Sequence, residues 1–184
     1  MSLKFLCPSF RTRYIFISKV MNDVSNKKSL NKVLNIGCGE GDYDDVIKKH
    51  CGTLFSGDIN SDDIAYCKSI NKDKNIFYDV LDIENLKFKN KTFDCILCIE
   101  VLEHINSIPK AIMNMSKALK DGSILVITVP VDSFPLIYDP VNKFLGLFNK
   151  KFSIGAYAYG HNNLINENNL INELKKFNIE VINK

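Results

Sequence analysis

The stretch Val33-Leu34-Asn35-Ile36-Gly37-Cys38-Gly39-Glu40-Gly41 decides the reading of this chain, because a short aliphatic and β-branched run breaks into glycine at every second position. An apolar run of that length bounded by glycine reads as a buried strand ending in a loop. Glycine has no Cβ, so backbone there can pass close to a ligand and take dihedral angles closed to other residues. The segment from Asp42 to His50 can then start a helix, and a loop between strand and helix is a natural seat for a nucleotide-like guest. The plain alternative is a tight connection with no guest.

Spacing narrows the choice. The dinucleotide fingerprint is G-x-G-x-x-G, whereas Gly37, Gly39 and Gly41 give G-x-G-x-G with Asp42 in place of the third glycine. A pyrophosphate would also meet the carboxylates of Glu40 and Asp42. The loop therefore suits a ligand with a cationic centre and no phosphate better than a nicotinamide dinucleotide. A second apolar run, Thr53 to Ile59, carries Asp58 near its end, close to the roughly 20-residue spacing at which an acid after the glycine turn accepts hydrogen bonds from ribose hydroxyls. Asp58 is assigned that role. Taken alone it would be an ordinary acid ahead of the helix Ser61 to Ile70.

The rest of the chain alternates in the same way. Phe10 to Ser25 reads as a helix with Tyr14, Ile17, Val20, Met21 and Val24 in an apolar stripe. Strands are expected at Lys32–Ile36, Thr53–Asp58, Asn75–Tyr78, Phe93–Cys98, Ser123–Val129 and Ile179–Ile182, with helices between most of them. This pattern predicts an α/β fold: a Rossmann-like, doubly wound, mostly parallel sheet with helices on both faces and a ligand at the carboxyl ends of the strands.

Further blocks carry a family resemblance. They are Asp82-Ile83-Glu84-Asn85-Leu86-Lys87-Phe88, then Thr92-Phe93-Asp94-Cys95-Ile96-Leu97-Cys98-Ile99-Glu100-Val101-Leu102-Glu103-His104-Ile105, and the run from Lys117 through Gly122 to Pro130. With the glycine loop they make four ordered blocks over about residues 33 to 131. Their order is similar to that of the class I S-adenosylmethionine-dependent methyltransferases, especially the type-11 group that includes ubiquinone-pathway-like O-methyltransferases. The matching features are an acid, an "L-P-F"-like turn, an "F-D" strand, a "v-L-E-H" helix start, and a helix, glycine turn and fifth strand.

The resemblance implies S-adenosyl-L-methionine as cofactor and methyl transfer to a small-molecule acceptor, for which the aromatic segment after the fifth strand allows a lipid-like one. Its methionine part would lie on Gly37, Cys38, Gly39 and Gly41, its ribose on Asp58 with Ile59 alongside, and its adenine near Asp82 and Ile83. Glu100 would stand where the methyl emerges. Asn35 is a departure, since the family usually has an acid there that helps hold the cofactor's ammonium group. An amide accepts a weaker hydrogen bond than a carboxylate, so cofactor binding is expected to be weaker than in an Asn35→Asp variant. Members also usually have seven strands, and the last strand is expected to be missing here.

One domain is expected over 1–184. Within it lie the helix 10–25, a cofactor-binding core 33–131, a variable acceptor-side insertion 132–165, and a final helix and strand 166–184. Pro135 and Pro140, with Pro130 just before it, punctuate this aromatic insertion, and by the resemblance it is where such enzymes choose their acceptor. Lys143, Lys150 and Lys151 allow a weak contact with a membrane surface there.

Attack on a sulfonium methyl needs two reactants held together and water kept out, so no triad or metal is required. A hydroxyl acceptor would gain from a base. His104 and His161 are the candidates, while His50 closes a predicted helix.

Composition sets the outer bounds. The chain has 184 residues, 46% of them hydrophobic and 24% charged, with a net charge of +3. That charge is too mild to call for nucleic acid. No apolar run approaches the roughly 20 residues that span a bilayer, and a cytoplasmic protein is expected. Cys95-Ile96-Leu97-Cys98 is formally C-x-x-C, but residues three apart on a strand point to opposite faces, so both read as core rather than as metal or redox ligands. The open alternatives are a non-catalytic cofactor-fold protein that binds a partner and, less favoured, a nucleotide-dependent oxidoreductase. Oligomeric state is left open.

Overall fold

The computed structural model describes residues 8–130 and 165–182. Its elements in chain order are α1 (Pro8–Lys27), β1 (Leu30–Ile36), α2 (Asp44–Lys48), β2 (Cys51–Asp58), α3 (Ser61–Ile70), β3 (Ile76–Val80), a 3-10 turn (Ile83–Asn85), β4 (Phe93–Ile99), α4 (Ile108–Ala118), β5 (Leu119–Thr128) and α5 (Glu167–Lys176). Among the described residues the strands form one five-stranded sheet in the order β3-β2-β1-β4-β5. Every pairing is parallel. The order reverses between β1 and β4, the place where a doubly wound sheet opens a crevice beyond its carboxyl ends.

Strand β4 is buried at every residue, as a central parallel strand covered on both faces must be. Its alternate residues feed two separate cores. Cys95, Leu97 and Ile99 join Val33, Ile47 and the α1 stripe of Ile17, Met21 and Val24. Ile96 and Cys98 join Leu34, Ile36 and the buried side of α4, together with Leu174 of α5. The two cysteines therefore lie on opposite faces of the sheet, as the strand period of two requires. Both thiols are pushed up by burial, Cys95 to about 12, so they behave as small core hydrophobes.

An acid inside this apolar strand is held by three donors. Asp94 accepts from the backbone N–H of Asn31 at 3.1 Å and of Lys32 at 2.9 Å, and from Lys120 Nζ at 2.7 Å. Burial works to raise its pKa, but the Lys120 and Lys32 hydrogen bonds prevail and hold it below the usual carboxylate range. One side chain thus ties the start of β1 to β4 and β5.

Three expectations are corrected. The helix expected to start within Glu100–Ile105 begins at Ile108, because Ser107 caps it, accepting from Lys110 N–H, and Pro109 occupies its first turn. Leu119 already belongs to β5 rather than to a helix. Gly122 (φ +66°) lies where the pairing shifts register between Phe93↔Leu119 and Cys95↔Ile124, so the expected glycine turn is an irregularity within the strand. Residues Ile179–Ile182 do not form a strand. Asn178 turns left-handed (φ +58°) and Ile179 N–H folds back onto the Leu174 carbonyl at 3.2 Å, closing the end of α5. The insertion 132–164 lies outside the described residues, and Ile165 follows it as a buried residue.

Asp94→Ala removes all three acceptor bonds and leaves two backbone N–H groups of β1 without their partner. A loss of about 2 to 4 kcal/mol is expected in urea unfolding. The wild-type contribution should fall away only in acid: a depressed folded-state pKa gives stability that is complete above the unfolded value and lost as pH drops through the folded one.

Candidate functional site at the crevice of the sheet

At the carboxyl end of β1 the chain turns through Gly37 (φ +74°), Gly39 (φ +51°) and Gly41 (φ +79°), backbone angles that L side chains rarely adopt. Gly37 is also required by space, since a Cβ there would stand 2.2 Å from Val101 Cγ2. The loop is fastened to the end of β2: Gly37 and Cys38 N–H both donate to the Gly57 carbonyl, at 2.8 and 3.1 Å. Asp58 completes the clamp. It accepts from Gly39 N–H at 2.8 Å and from Asn60 N–H at 2.9 Å, while Asn60 caps α3.

Beside this loop lies a cavity of about 300 Å³. Its walls include Gly37, Asp58, Ile59, Asp82, Ile83 and Glu100, so the structure brings together most of the positions singled out in the sequence. Asp82 caps the 3-10 turn, accepting from Glu84 N–H at 2.8 Å, which sets the buried Ile83 in place. Glu100 takes φ +53°, rare for a side chain outside glycine, and its N–H donates to the Thr128 carbonyl at 2.9 Å. His104 lines the same cavity and is exposed. His161 lies outside the described residues.

Four expected contacts do not line the cavity: Asn35, Cys38, Gly39 and Gly41. Gly39 and Gly41 shape the loop. The Cys38 thiol is buried beneath it and faces the Gly39 carbonyl, as does Cys67 Sγ. Asn35 is fully buried and donates Nδ2 to Asp44 Oδ1 at 2.9 Å, an oxygen that also accepts from Ser56 Oγ at 2.7 Å. Burial raises the pKa of Asp44, and the Ser56 and Asn35 hydrogen bonds oppose the rise. The sequence reading placed the amide of residue 35 toward a cofactor ammonium. The structure uses its nitrogen as a donor to a core carboxylate from α2 and leaves its oxygen buried without a hydrogen-bond partner among the described residues.

The sequence reading missed several residues. Arg13 of α1 reaches the mouth of β4, with its guanidinium 3.4 Å from Glu100 Oε2. Glu84 adds a fourth carboxylate to the cavity wall, after Asp58, Asp82 and Glu100. Glu103 is 0% exposed, and neither carboxylate oxygen has a hydrogen-bond partner among the described residues. Burial pushes its pKa up to about 7. The run Glu100-Val101-Leu102-Glu103-His104 drew attention in the sequence, but nothing in it tells a buried acid from an exposed one. Among the described residues no group of three or more His, Cys, Asp and Glu side chains is placed to hold a metal ion. No helix among them is long and apolar enough to cross a membrane.

Comparison with known proteins agrees with this geometry. The family model described as a methyltransferase domain matches residues 10–184. An uncharacterised protein of Methanocaldococcus jannaschii is 34% identical over 152 residues, covering 81% of this chain and 63% of that protein. The ubiquinone biosynthesis O-methyltransferase of Coxiella burnetii is 33% identical over 95 residues, covering 50% of this chain and 41% of that enzyme. The chain thus spans less than two thirds of the length of these curated relatives. Among solved structures, the N-methyltransferase NodS of Bradyrhizobium japonicum, in complex with S-adenosyl-L-homocysteine, superposes with a TM-score of 0.67 at 20% identity, over 95% of this chain and 78% of that one.

Two outcomes follow from the buried acids. Asn35→Asp sets a second carboxylate against Asp44, and should lower stability by about 2 to 4 kcal/mol without raising cofactor affinity, as read by urea unfolding and calorimetric titration. Glu103 carries a raised folded-state pKa, so the folded protein binds that proton more tightly than the unfolded chain. Its contribution is therefore most favourable below the ordinary carboxylate range and is lost as pH rises to about 7. Glu103→Gln should match the wild type near about pH 4 and exceed it by about 2 to 3 kcal/mol near about pH 8.

Proposed function

This chain belongs to the methyltransferase-domain family, and we propose that it binds S-adenosyl-L-methionine in the β1/β2/β4 crevice and transfers its methyl group to a small-molecule acceptor. The observation that carries this reading is the charge of the crevice. Asp58, Asp82, Glu84 and Glu100 line it, with no lysine or arginine among the lining residues. Such a wall opposes phosphate groups and favours a sulfonium and an ammonium. That is the physical case against a nicotinamide dinucleotide, and it stands beside the break in the glycine fingerprint.

The cradle fits this cofactor part by part. Bare backbone at Gly37, kept free of a Cβ by Val101, admits close approach of the methionine portion. Each Asp58 oxygen holds one backbone N–H and retains lone pairs for the ribose hydroxyls. Asp82, Ile83 and Ile59 supply a polar rim and an apolar wall for the adenine. The cofactor's own carboxylate requires a cation, and Arg13, paired with Glu100, is the basic group that α1 brings to this mouth. When bound, the cofactor supplies an electrophilic methyl already activated by the sulfonium charge. The chain's residues position it, exclude water and receive the acceptor.

The acceptor is set by the segment 132–165, which includes the candidate His161. The relatives place methyl groups on different atoms, one being named an O-methyltransferase and another an N-methyltransferase.

Calorimetric titration with S-adenosyl-L-methionine and S-adenosyl-L-homocysteine tests the cofactor. Asp58→Ala should weaken both by about 10- to 100-fold, the worth of hydrogen bonds to a charged group, in a protein whose melting confirms it is folded. Absence of binding to the wild type would remove the reading. Incubation with labelled methyl donor and small-metabolite, lipid, protein and nucleic-acid pools then identifies what is labelled; label confined to a macromolecular pool would overturn the small-molecule acceptor.

A further inference from the structure

The fold sorts charge by end. Helices run against the parallel strands they connect, so strand starts and helix ends meet at one end of the sheet while the crevice loops gather at the other. The segments at the crevice end, 37–45, 57–63, 79–85 and 100–107, hold twelve Asp and Glu residues and neither Lys nor Arg. Those at the far end, 26–32, 48–53, 71–76, 89–93 and 117–122, hold eleven lysines against two acids, Asp73 and Asp121. The net charge of +3 over the whole chain conceals this separation.

The far-end lysines are mostly unused by the fold. Lys48, Lys91 and Lys120 lie against Asp73, Asp121 and Asp94 at 4.0, 2.6 and 2.7 Å. The other eight are exposed and have no carboxylate partner among the described residues. Helix dipoles account for Lys27, Lys28, Lys49 and Lys117, which stand at helix ends. Lys32 lies in β1, and Lys72, Lys74 and Lys89 lie in loops, where no dipole calls for them. Like charge gathered in this way repels itself and opposes the compact state, so its complement is an external polyanion.

Two features choose among polyanions. Of the exposed large hydrophobic side chains only Ile70 and Phe77 stand beside these segments, both near the β3 edge, so the rest of the face has nothing to enter a bilayer. The lysines also mark the start of all five strands, which are spaced by about 4.8 Å and rotated by about 20 to 25° from one to the next. They therefore follow a curved line about 20 Å long rather than a plane. A flexible row of phosphates can follow that line, whereas a flat layer of headgroups meets only part of it. With lysine and no arginine among them, the contacts are point charges on phosphate rather than forks that read a base edge.

We propose that this lysine-lined end binds the phosphate backbone of a single-stranded nucleic acid, without reading its bases. The strand is a bound partner and not the methyl acceptor, because the length of the sheet, about 20 Å, separates it from the crevice. The proposal does not rest on the cofactor reading.

The test is fluorescence anisotropy of dye-labelled oligouridine and oligoadenosine, each of about 12 nucleotides, titrated with the full chain. Both should bind with similar affinity. If about five phosphates are neutralised, log affinity should fall against log salt with a slope of about −3 to −4. Lys32→Gln, Lys72→Gln, Lys74→Gln and Lys89→Gln combined should weaken binding by at least about tenfold and flatten the slope by about 2 to 3. Arg11→Gln with Lys110→Gln, two exposed cations at the crevice end, should leave both unchanged. No saturable binding, a salt-independent affinity, or equal loss in the two variants would overturn the proposal.

A footprint on the wild type guards against a variant that does not fold. Amide shifts induced by oligouridine should concentrate in 26–32, 48–53, 71–76, 89–93 and 117–122, and shifts confined to the crevice loops would overturn the assignment. Saturating S-adenosyl-L-homocysteine should leave the affinity within about twofold, and displacement of the oligonucleotide would place the strand in the crevice and overturn the separate surface. Polyglutamate competing as well per charge, or phosphatidylglycerol vesicles held more tightly through the same lysines, would overturn the nucleic acid in favour of an acidic protein or a membrane.

Discussion

The structure depends on how closely the ends of β1 and β4 approach each other. These adjacent parallel strands both leave the sheet at the same level, and the first residue after β1 has Val101 where its own Cβ would stand. Only glycine at position 37 lets both turns exist. Once the backbone is bare there, it can reach the Gly57 carbonyl on β2, and the loop is pinned between two strands rather than hanging from one. Glu100 answers the same constraint from the other side, taking a left-handed conformation that sends Val101 across the glycine and aims the following segment into the crevice wall. Strain of this kind costs of order 1 to 3 kcal/mol and persists only where surrounding contacts hold it. Here the Thr128 carbonyl and hydroxyl both accept from Glu100 N–H.

Around that frame the chain concentrates negative charge where a hydrophobic core would be more stable. Asp44 and Glu103 are buried with raised pKa values, one against Gly41 of the glycine loop and the other beside His104 of the crevice wall. The two differ in kind. Asp44 is bonded to β1 through Asn35 and to β2 through Ser56, so it joins the strands that carry the glycine loop and Asp58. Glu103 makes no such bridge between strands: the next residue's His104 Nε2 stands 3.9 Å from its Oε1, and its burial is a net loss of stability at neutral pH. Natural sequences retain such losses where function needs the group.

The features legible in the sequence were those set by local geometry. Glycine spacing, the acid at the end of the second strand and the period-two split of Cys95 and Cys98 each follow from backbone rules, and each stands where those rules put it. What could not be read were relations across elements. Arg13 meets Glu100 only because α1 packs along one particular face of the sheet, and no periodicity within α1 states which mouth its polar side reaches. Asn35 was read only in part for the same reason: its nitrogen donates to a carboxylate from a different element, while its oxygen is buried without a hydrogen-bond partner among the described residues. The start of α4 was misplaced because Ser107 and Pro109 outweighed the apolar run before them. Ile179–Ile182 has strand composition, but a left-handed Asn178 turned it back onto its own helix.

The acidity of the crevice bears on the proposed reaction in a second way. A wall of carboxylates stabilises a sulfonium in the ground state, yet methyl transfer discharges that sulfur, so the attraction weakens as the reaction proceeds and would raise the barrier. Charge complementarity therefore serves to select and hold a cationic donor, while rate has to come from elsewhere, from holding donor and acceptor in line and keeping water out. Glycine at position 37 and the loop pinned to β2 supply the rigid half of that arrangement.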